Sequence, residues 1–381
     1  MATTSSELPP IPTHMKAVQV TAFNESYKLN IVPVPTSLGL HELLVKVAVA
    51  SYCHTDGMVA AGVFGTKLPA TASHEGAGTV VRVGEGVSGF KVGERVMCGI
   101  PLGPCGMCGD CASASEGEGG HGQYCAHTKG HVGVHIDGCF AEYVRVDERF
   151  TTRLPSEISF TEAAPLACAG RTVWRGVQVA GVKKGEWLLI LGSGGGLGHL
   201  GVQFAKGLGV NVIGVDARDE GLKISAGMGA DVVLDARKAK GEVVAEVQKA
   251  TGGQGVHAAI VLADAPSATA LAAAATRMHG TVVQIAQPQN VAELVFRDVR
   301  LRGSLLCSPA ESRDMVRFIA GQKIKEREEG EGGIRVETTT FEGLEKIDEV
   351  LELVGDGRIR GKAVVVVDRG QVEEDRRRGW E

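Results

Sequence analysis

Trp187-Leu188-Leu189-Ile190-Leu191-Gly192-Ser193-Gly194-Gly195-Gly196-Leu197-Gly198 decides the fold. The first five residues are a continuous apolar run, as expected of a strand buried on both faces of a parallel sheet. Glycines follow at G-x-x-G-G-x-G spacing. Then Leu197, Leu200, Phe204, Ala205 and Leu208 recur at helical spacing. The alternation continues downstream. Strands are predicted at 211–216, 231–234, 257–262, 281–285 and 301–306, with helices between them, one of them Ala-rich at 267–276. Strands alternating with helices imply an α/β domain with a doubly wound parallel sheet, placed at 170–308.

Upstream, residues 1–169 read differently. After a loose arm at 1–14, short strands with frequent turns are predicted at 17–20, 43–49, 79–83, 95–97 and 140–146. Helices are expected around Cys168, with Thr161 as N-cap. Downstream, 309–381 starts no new repeat. A helix is predicted at 311–320. The charged run 325–333 reads as a solvated loop. Ala363-Val364-Val365-Val366-Val367 reads as a strand returning to the first domain, and the charged tail 368–381 is expected to fray.

The 381 residues are 44% hydrophobic and 22% charged, with a net charge of −5 and 4% aromatics. Two domains are expected at this length. With no basic stripe and few aromatics, nucleic acid is an unsuitable partner. No run of about 18 apolar residues exists, so no membrane span is expected. The N-terminus has no signal-peptide pattern, which makes the cytoplasm the expected location. The odd count of nine cysteines does not suit a disulfide framework. Their clustering points to metal in a reducing compartment.

Two ligand sets stand out. Cys53 opens Cys53-His54-Thr55-Asp56, His74 lies in Ser73-His74-Glu75-Gly76, and Cys168 lies in Ala164-Pro165-Leu166-Ala167-Cys168. Each alone reads as an ordinary buried or surface residue. Together, two thiolates and one imidazole leave a tetrahedral Zn²⁺ with an open position, the pattern of a catalytic site. A zinc-binding histidine needs its other ring nitrogen held, and Asp56 and Glu75 are the available carboxylates. The second set is Cys105-x2-Cys108-x2-Cys111 followed by Cys125, suited to a closed all-cysteine structural zinc. Residues 116–122 lengthen the last gap, so His121 and His127 compete with Cys125 for the fourth place.

The glycine loop adds a cofactor. Gly192, Gly195, Gly196, Leu197 and Gly198 lie between a buried strand and an amphipathic helix, the context that lets a pyrophosphate rest on a helix N-terminus. Asp216 ends the next strand, where a carboxylate binds a ribose diol and repels a 2′-phosphate. That favours NAD(H), although Arg218 nearby leaves NADP(H) open.

These motifs resemble those of the zinc-dependent medium-chain alcohol dehydrogenases, and of the yeast and fungal type in particular. The likeness runs over about 15–367. It rests on Cys53-His54-Thr55-Asp56, Ser73-His74-Glu75 with Gly78, Gly84 and Val87, and the triple C-x2-C. Asp137-Gly138 with Phe140, the segment around Cys168, and Gly195-Gly196-Leu197-Gly198 complete it. Ser73 stands where the family has glycine. The resemblance implies a GroES-like β-rich catalytic domain, a Rossmann domain and an active site in the cleft between them. It implies Cys53, His74 and Cys168 as ligands of one of two zinc ions, with Glu75 an occasional further ligand. Asp56 would orient His74, His54 would meet the cofactor pyrophosphate, Thr55 would bond the substrate oxygen and Lys223 would meet the adenosine ribose. A homodimer or homotetramer acting on a small alcohol or carbonyl compound is implied.

Three departures bear on the substrate. Met58 occupies the position of the family's relay histidine, and methionine carries no proton. Ile100 stands where an aromatic narrows the ethanol pocket, with Phe64 as the remaining aromatic wall. The structural-zinc lobe is also longer. A substrate larger than ethanol is expected, such as a secondary-metabolite intermediate. Two other readings compete: a zinc-free quinone or enone reductase on the same fold, and a non-catalytic relative that keeps zinc and NAD(H).

Overall fold

In the computed structural model, which describes residues 10–112, 120–286, 300–330 and 333–380, Trp187–Leu191 is the hub of a six-stranded sheet. Asn211–Asp216 and Val256–Val261 flank it, both parallel to it. The sheet extends to Val232–Asp235 on one side, and through Thr276–Gln284 to Arg300–Gly303 on the other. The first strand in sequence therefore lies inside the sheet, and growth reverses beside it. That reversal is the topological switch point at which such sheets bind nucleotides. Leu188, Leu189 and Ile190 have no exposed surface, which explains the unbroken apolar run. Burying each such side chain stabilises the fold by roughly 1.5–3 kcal/mol.

The chain divides into two compact units. The first comprises Met1–Cys168, Ser308–Arg317 and Thr338–Glu381, and the second Ala169–Cys307 and Phe318–Glu337. In the first, Glu42–Ser51 is the central strand of a seven-stranded sheet. It pairs antiparallel with Glu75–Val83, Tyr143–Asp147 and Lys362–Val366. The strand expected near 363–367 does return to this sheet. Its five residues are all buried, and Thr338–Glu342 pairs parallel with it at the edge. A three-stranded sheet of Lys28–Pro33, His14–Val20 and Ala70–Thr71 lies in the same unit. Among the described residues no helix is long and apolar enough to cross a membrane.

Several local expectations are corrected. The helix after the second unit's sheet runs over Pro309–Glu329, so most of the charged run is helical. Lys325, Glu326, Arg327 and Glu328 are good helix formers, and Gly330 at φ +74° ends the helix. Positions 331–332 of that run lie outside the described residues. The stretch 318–337 belongs to the second unit, not the first. Phe318 packs there against Trp174, with ring centroids 4.9 Å apart, and the Gln203 side chain bonds both backbone groups of Arg335.

The tail is not frayed. Arg369–Arg377 is a helix whose N-cap Asp368 accepts from Gly370 and Gln371 N–H. Asp375, 1% exposed, accepts from Arg95 (2.7 Å) and Phe160 N–H (2.9 Å). The Arg95 guanidinium lies over the rings of Phe160 and Trp380, at 4.5 and 4.4 Å. The cap before Cys168 is Ser159, not Thr161. Ser159 and Glu162 form a reciprocal capping box.

Candidate active site

Three elements of the first unit bring the first ligand set together. Cys53 is the N-cap of the helix His54–Ala60, and Asp56 at the third helical position returns its Oδ2 to Cys53 N–H at 2.8 Å. His74 and Glu75 lie at the start of Glu75–Val83, whose first residue pairs with Ser51 two positions before Cys53. Cys168 lies in the π-helical turn Leu166–Gly170, directly after a helix containing Pro165. Proline removes a backbone donor and interrupts regular helix. One-turn π segments recur at functional sites because they re-aim a side chain.

Cys53, His74, Glu75 and Cys168 each place one donor atom within 4.8 Å of the others. His74 Nδ1 is buried without a hydrogen-bond partner, 3.8 Å from Asp56 Oδ1. The Asp56 carboxylate, fully buried, is hydrogen-bonded instead to Cys53 N–H and Ser73 N–H (3.0 Å). It thus fastens the two ligand-bearing segments to each other. Glu75 is neutralised by a residue absent from the sequence reading. Lys362 Nζ lies 3.0 Å from Glu75 Oε1 and 2.9 Å from Oε2, and also donates to Tyr52 O at 2.7 Å. A lysine opening an apolar strand was the only sign of it. Thr55 Oγ1 lies 3.8 Å from Cys53 Sγ.

The electrostatics suit a cation. The hydrogen bond from Cys168 pulls the Cys53 thiol well below its usual range, against burial, and the same bond drives Cys168 up. The pair therefore favours one thiolate even before a metal ion arrives. Burial raises the Glu75 carboxyl to about 7 despite Lys362, and raises Asp56 to about 6 despite His74. Burial opposes the His74 imidazolium, yet Cys53, Asp56 and Glu75 lift it to about 9.

The second set also closes. Sulfur separations are 3.6 Å for Cys105–Cys125, 3.8 Å for Cys108–Cys125 and 4.0 Å for Cys105–Cys111. Four sulfurs about 2.3 Å from a tetrahedral zinc lie about 3.8 Å apart. Cys108 and Cys105 N–H groups point at Cys105 and Cys125 sulfurs, at 3.3 and 3.4 Å. Such bonds stabilise thiolates. Cys125 is the fourth member of the group, with neither His121 nor His127 in it. Of the lengthened gap, 113–119 lie outside the described residues.

In the second unit, Gly192 is at φ +82° and the loop leads into the helix Gly198–Gly207, with Leu197 as N-cap. A Cβ on Gly198 would lie 2.1 Å from Gly192 O, and one on Gly194 2.1 Å from Gly221 O. Gly194, outside the G-x-x-G-G-x-G pattern, thus has as little room for a side chain as Gly198. The Asp216 carboxylate accepts from Gly194 N–H (3.0 Å), Arg218 N–H (3.0 Å) and Arg218 Nε (3.4 Å). Lys223 is exposed, 3.9 Å from Glu220. His54 is exposed, Met58 partly buried, Phe64 36% exposed and Ile100 3% exposed.

The family models agree with this arrangement. Residues 39–156 match the alcohol dehydrogenase GroES-like domain and 196–321 the zinc-binding dehydrogenase domain. An alcohol dehydrogenase of Geobacillus stearothermophilus is 33% identical over 368 residues, covering 93% of this chain and all of the relative (100%). This chain belongs to the zinc-type alcohol dehydrogenase family. The solved alcohol dehydrogenase of the archaeon Aeropyrum pernix superposes with a TM-score of 0.80 at 30% identity, covering 92% of this chain and 99% of that one. Alcohol dehydrogenase 1 of Emericella nidulans is 32% identical over 343 residues, 88% of this chain and 92% of the relative. Bacterial and fungal family members are thus about equally similar, and the fungal type is not singled out.

Proposed function

We propose that this family member is a zinc-dependent enzyme that oxidises an alcohol with NAD, or reduces an aldehyde or ketone with NADH. The carrying observation is the convergence of Cys53, His74 and Cys168 beside the neutralised Glu75–Lys362 pair. A zinc ion there would polarise the substrate oxygen and make alkoxide chemistry accessible near neutral pH, while nicotinamide would exchange the hydride. The protein's own share is positional. Cys53, His74 and Cys168 hold the ion, and Asp56 fixes the spacing of their segments. Thr55 bonds the substrate oxygen and relays its proton, giving up its own hydroxyl proton to water or the cofactor ribose. Gly192, Gly195, Gly196, Leu197 and Gly198 cradle the pyrophosphate with His54, and Asp216 and Lys223 meet the adenosine ribose. Cys105, Cys108, Cys111 and Cys125 hold a second, structural zinc.

The two ligand sets count against the zinc-free reductase reading, and Met58 is the one feature that favours a non-catalytic role. Nine unbridged thiols suit a cytoplasmic enzyme. Arg300–Gly303, exposed along its length and paired on one side among the described residues, offers an edge for a homodimer or homotetramer. Ile100 in place of an aromatic supports a substrate larger than ethanol. A panel of alcohols and carbonyl compounds graded by size, followed by NADH absorbance, tests the reading. Turnover should rise beyond ethanol. No NAD(H)-linked turnover of any member would refute it.

A further inference from the structure

The backbone of Ser73, directly before His74, lies at φ +70°, where an L side chain is strained. The surroundings enforce that conformation. Ser73 N–H donates to Asp56 Oδ1 at 3.0 Å and Cys139 N–H donates to Ser73 O at 2.6 Å. Gly133 and Gly138 press so closely that a Cβ on either would lie 2.3 or 2.1 Å from Ser73 O. A glycine at position 73 would meet all these demands without strain. The serine adds only its hydroxyl.

That hydroxyl bridges the two ligand-bearing segments. Ser73 Oγ donates to Ser51 O at 2.9 Å and accepts from Glu75 N–H at 3.2 Å. Ser51 and Glu75 are cross-strand partners at the end of their ladder. From there one segment leads to Cys53, while the other carries His74. Ser73, with no exposed surface, closes the ladder where the two diverge.

We propose that Ser73 is a positioning residue of the catalytic metal site, its hydroxyl bracing the Cys53 segment against His74–Glu75 so that the ion is retained longer. The inference rests on the zinc reading above. Outer-shell partners of metal ligands typically change metal affinity about 10–100-fold.

The test is zinc release from the full-length holoenzyme to a chromophoric chelator, for wild type, Ser73→Gly and Ser73→Ala. The release phase missing in Cys168→Ser identifies the catalytic site. Both variants should release that zinc about 10-fold faster, with the lobe phase unchanged. The thermal midpoints of the metal-free forms should instead place Ser73→Gly above Ser73→Ala, because alanine keeps the strain. The glycine variant should fold, so the comparison survives if the alanine variant does not. Release from Ser73→Gly at the wild-type rate would overturn the brace. So would release rates that merely follow the midpoints, since strain alone would explain them. A wild type without the Cys168-dependent phase would refute the zinc reading itself, and the brace with it.

Discussion

The Lys362 ammonium is paired with both oxygens of Glu75 across 287 residues of sequence, and the two side chains are 6% and 0% exposed. A buried ion pair adds little over an apolar replacement of both partners, but removing one partner strands a charge. Above pH ~9, where Glu75 is driven to ionise, Lys362→Met should therefore destabilise the first unit by roughly 3–5 kcal/mol, and Lys362→Arg by much less. Urea unfolding of metal-free protein checks this. A loss near zero for Lys362→Met would show that Glu75 is protonated or solvated there.

Asp216 should set cofactor choice. Its carboxylate now accepts from Gly194 and Arg218, and in the complex it would accept from the ribose diol. Asp216→Asn should lower kcat/KM for NAD about ten-fold or more, the value of a charged hydrogen bond, and raise it for NADP. Steady-state rates with both cofactors measure the ratio. Wild type preferring NADPH would shift the assignment to Arg218.

Met58 should limit proton transfer in alcohol oxidation. General acid–base groups contribute about 10²–10⁴-fold, and methionine supplies none. Met58→His should accelerate oxidation more near pH ~7 than near ~9, where hydroxide substitutes for the base. The comparison needs one alcohol whose deuterium isotope effect shows that chemistry limits. Superimposable pH profiles would mean that no proton passes position 58.

Asp368 should contribute acid sensitivity. Burial opposes its charge, but the Lys46 ammonium and the hydrogen bonds of the tail-helix cap hold its carboxyl below the usual range. A depressed carboxyl stabilises the fold above its unfolded pKa of about 3.9, and that contribution is lost as pH falls through the lower, folded value. Asn caps a helix about as well as Asp. The stability gap between wild type and Asp368→Asn should therefore be constant above about pH 5 and shrink below about pH 4. A gap independent of pH down to about 2 would contradict the ion pair.

Local chemistry made much of this legible in sequence. The Trp187–Leu191 run and the glycines after it declare a parallel sheet, because a strand covered on both faces needs consecutive buried apolar residues, here Leu188–Leu191, feeding a close backbone turn. Cys53, His74 and Cys168 declared themselves by residue type. Lys362 did not, because its role exists only when the last strand pairs with Glu42–Ser51. Nor did the tail helix. Asp375 and Arg95 look like surface charges until Phe160 and Trp380 enclose the guanidinium. Of the charged run, 325–329 is helix and not loop, because charge says where residues face, not whether they form a helix.

Zinc content and turnover, measured together on wild type and Cys168→Ser, test the central claim most directly. Wild type should carry two zinc ions per chain, bound by the two ligand groups, and should oxidise or reduce its best substrate with NAD(H). Cys168→Ser should keep the lobe zinc, lose the other and lose turnover. A Cys168→Ser protein that turns over like wild type, or an active wild type with one zinc or none, would contradict it.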